Sequence, residues 1–143
     1  MCVVNRRYTS GASAGLQGGR VKTFGSSLLV GALGLSGTGK EYAFRSSDGA
    51  NWTYASTGPI LQIDIVFVTA ARWLQAFLPN QSSETTDGGA SWHSFTTDYS
   101  QAAPVSPQIS FGDASIGYAT VRGSIQRTTD GGAHWTGLKT PGT

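Results

Sequence analysis

The sequence predicts an all-β fold made of small, repeated antiparallel sheets, and three observations carry that prediction. A short phrase containing Asp, Gly and Trp occurs three times along the 143 residues. Short runs of strand-forming residues, bounded by turn residues, flank each copy. Only 13% of the residues are charged and 20 are glycine, a composition typical of short strands joined by many turns.

The repeated phrase spans residues 47–52, 86–92 and 129–135. Its tryptophans, Trp52, Trp92 and Trp135, are 40 and then 43 residues apart. A period near 40 residues with one tight turn in each unit indicates a repeat architecture.

Each member of the phrase has a separate physical role. The hydroxyl and the carboxylate accept hydrogen bonds from nearby backbone N–H groups and tighten a turn. Glycine accepts the positive φ that a tight hairpin turn requires, and the tryptophan opens the next strand. The residues assigned to the turn are Ser47, Asp48, Gly49 and Trp52, then Thr86, Asp87, Gly88 and Trp92, then Thr129, Asp130, Gly131 and Trp135. The first copy is one residue shorter, so we expect a tighter turn there.

Strand-like runs supply four strands to each full unit. They lie at residues 28–33 and 42–46, at 60–68, 73–77 and 83–85, and at 107–111, 116–120 and 124–128, with one more strand opened by each tryptophan. We therefore expect units at about 26–58, 59–100 and 101–143. Residues 1–25 form a basic, Gly/Ser-rich segment that is interpreted either as a leader or as a partial unit.

These residues carry a resemblance to a known family. The stretches 44–49 and 126–132 resemble the Asp-box repeat, also called the bacterial neuraminidase repeat, of sialidase-like β-propellers and photosystem II assembly factors. The resemblance implies β-propeller blades of four antiparallel strands, about three to three and a half of them. It also implies that the box is a structural turn lying away from the functional face. Because propellers typically use about four to eight blades, we expect either a piece of a longer propeller or a homo-oligomer that completes the ring.

Charge and targeting signals restrict the partners. Residues 1–40 contain five basic and no acidic side chains, but no basic patch interleaved with aromatic residues predicts nucleic-acid binding. No apolar stretch approaches the length of a membrane span. The single cysteine, Cys2, excludes an internal disulfide. The family resemblance favours a secreted or periplasmic location.

One motif imitates a nucleotide site. Residues 34–40 match the phosphate-binding pattern G-x-x-x-x-G-K, but the next residue is Glu41 where the motif needs Ser or Thr to hold Mg²⁺. The segment after it has the pattern of a strand, whereas a phosphate loop opens a helix. We therefore predict a hairpin loop and no nucleotide cofactor.

No catalytic residue, metal site or cofactor is predicted, because three of the six aspartates already belong to turns. The residues instead favour a non-catalytic binding or scaffold module that recognises a protein or a glycan. The binding loops are expected opposite the repeated turns, at residues 34–40, 54–59, 78–82, 98–107 and 121–123, with Lys40, Tyr54, Asn80, Tyr99 and Arg122 as candidate contacts. The alternative is a fragment of a secreted, sialidase- or xyloglucanase-like glycoside hydrolase that lacks its full active site.

Overall fold

The computed structural model describes residues 16–17, 21–34, 38–100, 108–121 and 124–141. All regular secondary structure within these residues is β-strand. In chain order the strands are β1 (Leu16–Gln17), β2 (Val21–Phe24), β3 (Ser27–Gly34), β4 (Glu41–Ser46), β5 (Thr53–Thr57), β6 (Val66–Phe67), β7 (Trp73–Gln75), β8 (Ser82–Thr85), β9 (His93–Phe95), β10 (Gln108–Phe111), β11 (Gly117–Val121), β12 (Ser124–Thr128) and β13 (Thr136–Leu138).

The strands form three separate antiparallel sheets. The second sheet has the order β6-β7-β8-β9 and the third the order β10-β11-β12-β13, so strands that follow in the chain are neighbours in space. The first sheet has the order β1-β3-β4-β5, with β2 also paired to β3. Each sheet thus has four strand positions in meander order. The predicted all-β fold with about three propeller-like blades is confirmed.

The first sheet begins earlier in the chain than the expected residue 26. Strand β2 pairs with the beginning of β3, whereas β1 pairs with its end, at Gly34 and Leu33. The two short strands share one position beside β3. Gly25, at a φ of 60°, allows the two-residue turn that connects β2 to β3. Part of the segment set apart as residues 1–25 is therefore paired within the first sheet.

The strand expected at residues 60–68 is much shorter than predicted. Only Val66–Phe67 forms a strand. The fully buried Gln75 side chain accepts a hydrogen bond from the Ile60 N–H at 2.8 Å and donates to the carbonyls of Ile60 and Ile63 at 2.9 and 2.5 Å. These bonds satisfy the backbone of the segment in place of a strand partner and hold it as an ordered loop.

The core lies between the sheets. One buried cluster joins Leu29 and Ala43 of the first sheet to Phe67 and Trp73 of the second, with the last two rings edge to face at 5.1 Å. A second cluster joins Leu74 to Phe111 of the third sheet. Because the first and second sheets each bury apolar side chains against the sheet that follows, the stacking of neighbouring sheets supplies much of the stability, as in other repeat architectures.

Candidate functional site

The connection between the third and fourth strand position of each sheet is a turn organised around an aspartate, which we call the first, second and third box turn (residues 46–52, 85–92 and 128–135). In the second, Asp87 Oδ1 accepts the Thr85 hydroxyl at 2.7 Å and the Ser91 N–H at 2.9 Å. The Thr85 hydroxyl oxygen in turn accepts the Gly89 N–H at 2.9 Å. The third box turn repeats these bonds through Thr128, Asp130 and His134.

The hydroxyl that organises each box turn lies one residue before the one assigned from the sequence. Ser47, Thr86 and Thr129 are exposed, whereas Ser46, Thr85 and Thr128 are buried and bind the aspartate. The cause is the alternation of side chains along the preceding strand. The last strand residue points into the sheet interface, and the next one points to solvent.

The second carboxylate oxygen of each box aspartate binds a side chain further along the turn. The partners are Asn51, Ser91 and His134, at 2.7, 2.5 and 2.6 Å. Hydrogen bonds to the ionised form stabilise it. The Ser91 side chain and N–H lower the pKa of Asp87 to about 2, and the bond from the His134 N–H is the main reason that the pKa of Asp130 falls to about 2. The Asn51 N–H likewise lowers the pKa of Asp48.

The first box turn is tighter, as its shorter sequence predicts. The hydroxyl of Ser46 binds the N–H of Gly49, three residues ahead, whereas Thr85 and Thr128 bind the N–H four residues ahead. One glycine has positive φ in the first box turn, Gly49 at 75°, and two have positive φ in each of the others.

The box turns also join each sheet to the one before it. The Ser56 hydroxyl of β5 donates to the Gly89 carbonyl at 2.7 Å, and the Thr97 hydroxyl after β9 donates to the Gly132 carbonyl at 2.6 Å. Two guanidinium groups make a parallel pair of contacts. Arg45 reaches the Gly88 carbonyl at 3.4 Å and Arg72 reaches the Gly131 carbonyl at 2.8 Å. These contacts assign a structural role to the second and third box turns.

The box tryptophans differ in their hydrogen bonds. The indole N–H of Trp52 donates to the Gly49 carbonyl at 3.1 Å, and that of Trp135 donates to the Gly132 carbonyl at 2.8 Å. Trp92 instead donates to the Ser56 hydroxyl of the first sheet at 2.9 Å. Two tryptophans thus brace their own turn, and one braces the junction between sheets.

The end of the molecule opposite the box turns carries an ordered loop, residues 58–65, between the first and second sheets. Gln75 anchors it as described above, and the N–H of Gln62 donates to the Gly39 carbonyl at 2.7 Å. Gln62 has a φ of 61°, a backbone conformation that costs energy for a side-chain-bearing residue. Beside it, Leu61 is 56% exposed. The loop is therefore held in a defined shape with a large apolar side chain at its tip.

The loop candidates from the sequence have different locations. Lys40 and Asn80 are exposed at the end of the molecule opposite the box turns, which we call the loop end. Tyr54 lies on strand β5, and its hydroxyl pairs with Thr57 at 2.6 Å. Tyr99 is fully buried and packs edge to face on Trp135 at 5.6 Å, which corrects its assignment as a surface contact. Arg122 lies outside the described residues.

A carboxyl pair that the sequence left without a role also lies at the loop end. Glu41, the first residue of β4, is only 4% exposed, and Oε2 has no hydrogen-bond partner among the described residues. Burial, together with the negative charge of the exposed Asp64, raises the pKa of Glu41 to about 7. The signal that could have found it is an acidic residue in a strand beside two apolar positions, since Ala43 and Phe44 follow it.

The other acidic residues are occupied by structural contacts. Asp113 accepts the N–H groups of Ser115 and Ile116, both at 2.8 Å, and Asp98 accepts the N–H of Trp135 at 2.7 Å. Glu84 binds Arg72 at 2.5 Å and His93 at 3.1 Å. These carboxylates shape turns and sheet junctions.

Residues 35–37 of the phosphate-loop imitation lie outside the described residues, and the segments on either side of them are the antiparallel partners β3 and β4. Strand β4 begins at Glu41, immediately after Lys40, so no helix N-terminus faces the glycines. The Gly34 N–H donates to the Lys40 carbonyl at 2.9 Å and closes the connection. Among the described residues, the backbone N–H groups of this connection therefore do not converge at the start of a helix, as those of a phosphate-binding loop do.

Among the described residues, no three His, Cys, Asp or Glu side chains gather closely enough to bind a metal ion. The described segments also contain no helix long and apolar enough to cross a bilayer. In comparisons with known proteins, no family model, curated protein or solved structure matches this chain.

Proposed function

We propose that this chain is a non-catalytic binding module of the Asp-box propeller type. It recognises a protein or a glycan through the loop end opposite the box turns. The observation that carries the proposal is the loop at residues 58–65, which Gln75 holds in a fixed shape while Leu61 projects 56% exposed. A preformed loop loses little conformational entropy when it binds, and an exposed apolar side chain is a natural anchor.

Polar groups around Leu61 support the same surface. Lys40 is exposed on the adjoining connection, Asp64 is exposed at the end of the loop, and Asn80 is exposed on the turn between β7 and β8. An apolar anchor with polar groups of both charges nearby is typical of recognition surfaces for proteins and carbohydrates. In the box turns, in contrast, the carboxylates already accept hydrogen bonds from backbone N–H groups.

A second candidate function, glycoside hydrolysis, is favoured by the Glu41–Asp64 pair alone. A carboxyl group whose pKa is raised to about 7 and that has a second carboxyl group nearby is the arrangement that such enzymes use for acid catalysis. Glu41 is nearly inaccessible to solvent, however, and a general acid must contact the glycosidic oxygen. We therefore place binding ahead of hydrolysis.

Incubation of the chain with fluorogenic sialosides and soluble β-glucans separates the two functions. The binding module leaves both classes of substrate intact. Turnover that disappears in the Glu41→Gln variant would establish the hydrolase and reject the binding-only proposal.

Ligand recognition is tested on a glycan array and by titration of sialylated and β-glucan oligosaccharides, followed by heteronuclear NMR. Backbone shifts are expected at residues 58–65, and Leu61→Asp is expected to abolish them. Tyr118→Asp is the matched control, because Tyr118 is an exposed apolar residue of the third sheet, away from this loop. Shifts confined to the box turns would contradict the proposed surface.

A further inference from the structure

The third sheet carries an exposed apolar face, which we call the outer face and define by Tyr118, Ile125, Arg127, Thr136 and Leu138. Register places Tyr118, Arg127 and Thr136 side by side on three neighbouring strands, and Ile125 beside Leu138 in another row. Rows two residues apart along a strand lie on the same side of a sheet. Tyr118, Ile125 and Leu138 are 46%, 37% and 39% exposed.

The first residue of the corresponding row is buried in each of the other two sheets. The equivalent rows are Leu29–Arg45–Thr53 in the first sheet, Leu74–Glu84–His93 in the second and Tyr118–Arg127–Thr136 in the third. Leu29 and Leu74 are 0% and 1% exposed because the following sheet covers each of them. Tyr118 occupies their position with no following sheet among the described residues. The outer face therefore has the composition of an inter-sheet interface without its second half.

Arg127 supports the same conclusion through its hydrogen bonds. Its counterpart in the first sheet, Arg45, reaches a glycine carbonyl in the box turn of the next sheet, and Arg72 does so from the second sheet. Arg127 Nε is buried and has no hydrogen-bond partner among the described residues. Arg45 and Arg72 make their contacts through Nη2, so the terminal nitrogens of Arg127, rather than its enclosed Nε, are the donors that a box-turn carbonyl of another sheet would meet.

The complementary surface is the first box turn. Gly89 and Gly132 are buried under the preceding sheet, which donates a hydroxyl to each of their carbonyls. Gly49 follows the aspartate of the first box turn, as Gly88 and Gly131 do in the turns whose carbonyls accept an arginine, and it is exposed. Asp48, whose pKa is lowered by the turn, keeps a negative charge beside it. This turn offers the carbonyl and the charge that suit Arg127.

We propose that the outer face of one copy of this chain docks on the first box turn of a second copy, beside Trp52 and the exposed Tyr54. Two such contacts, related by a two-fold axis, close a ring of six sheets, within the range of about four to eight that propellers use. Contact between two outer faces is disfavoured, because it would bring Arg127 against its own copy. On the face of the first sheet that is turned away from the second sheet, Val30 and Phe44 are already buried. The contact between copies is therefore confined to the end of that sheet that carries the first box turn.

The assembly is tested by light scattering and sedimentation of the full chain. We expect a particle of twice the 14.9 kDa chain mass. Tyr118→Asp or Ile125→Asp is expected to raise the dissociation constant at least about tenfold. Leu61→Asp, the matched exposed apolar residue of the loop end, is expected to leave assembly unchanged. A monomer at about 100 µM, or a Tyr118→Asp dimer of unchanged affinity, would overturn the proposal.

A mixing experiment separates head-to-tail contact from the symmetric alternative. Tyr118→Asp damages the outer face and Tyr54→Asp damages the box-turn surface, so each variant alone lacks both contacts. Their mixture retains one undamaged contact and is expected to form a mixed pair. Circular dichroism of each variant verifies that the sheets are intact. Absence of the mixed pair from folded variants would reject head-to-tail docking.

Discussion

The Thr97 hydroxyl donates a buried hydrogen bond of 2.6 Å to the carbonyl of Gly132, and this bond joins the end of the second sheet to the box turn of the third. The Ser56 hydroxyl makes the same bond to Gly89 across the first junction. Each of these two turns therefore closes a hairpin of its own sheet and also binds the preceding sheet. Local folding and the association of sheets depend on the same few backbone groups.

Replacement of Thr97 by valine tests this relationship. The variant keeps the shape of the side chain but loses the donor to Gly132 and the acceptor for the Tyr99 N–H. The free energy of unfolding is expected to fall by about 1–3 kcal/mol, as measured by urea denaturation. Thr96→Val, at the exposed neighbouring position, is expected to change it by less than about 0.5 kcal/mol. Equal losses in both variants would remove the special role of Thr97.

The repeated turns and most strands could be predicted because their causes are local. Asp130, Gly132 and Trp135 interact within a few residues of one another, so spacing alone reveals them. The hydroxyl predicted to organise the turn lies one residue after the one that does so in the structure, because hydroxyl groups occur at both positions of every copy. Only the alternation of inward-facing and outward-facing side chains along the preceding strand distinguishes the buried position from the exposed one.

Contacts between distant segments could not be predicted in the same way. Gln75 lies 15 residues from the backbone of Ile60 that it binds, and its strand gives no sign of that partner. Tyr99 resembles a loop aromatic until the third sheet buries it against Trp135. The exposed Leu61 and the buried Glu41 likewise acquire their character from how the loop at residues 58–65 is held. The candidate site is thus less predictable than the fold.

A pair of threonine variants distinguishes the two hydroxyl positions of the second box turn. Thr85→Val removes the group that donates to Asp87 and accepts from Gly89, and we expect a loss of about 1–3 kcal/mol in the free energy of unfolding. Thr86→Val changes an exposed side chain and is expected to be nearly neutral. Thermal and urea denaturation measure both. A larger effect at Thr86 would restore the assignment made from the sequence.

Glu41 is expected to make the protein less stable as the pH rises. Its folded pKa of about 7 exceeds the ordinary value of 4.5, so the folded state binds the proton more tightly than the unfolded state. The destabilisation is absent below about pH 4.5, grows between the two values, and is complete above pH 7. Glu41→Gln removes this titration, and we expect it to match the parent at pH 4 and exceed its stability by about 1–2 kcal/mol at pH 8.

Asp64→Asn provides the control for the cause of that shift. Burial is the larger contribution to the pKa of Glu41 and the charge of Asp64 the smaller, so this variant should retain most of the pH dependence. Urea denaturation curves from pH 4 to pH 8 give the comparison. Parallel pH profiles for Glu41→Gln and the parent would show that Glu41 is not the group responsible.

His134 is expected to give the third box turn a pH dependence that the second lacks. Its hydrogen bond to Asp130 raises the pKa of His134 above 6.5, so the stabilisation is fully present below pH 6.5 and is lost as the pH rises through the folded pKa. Ser91 makes the corresponding bond to Asp87 with a hydroxyl that does not titrate in this range. His134→Ser should therefore flatten the stability profile above pH 6.5, and Ser91→His should steepen it. Denaturation from pH 6 to pH 9 measures both slopes, and a steep profile that persists in His134→Ser would assign the dependence to another group.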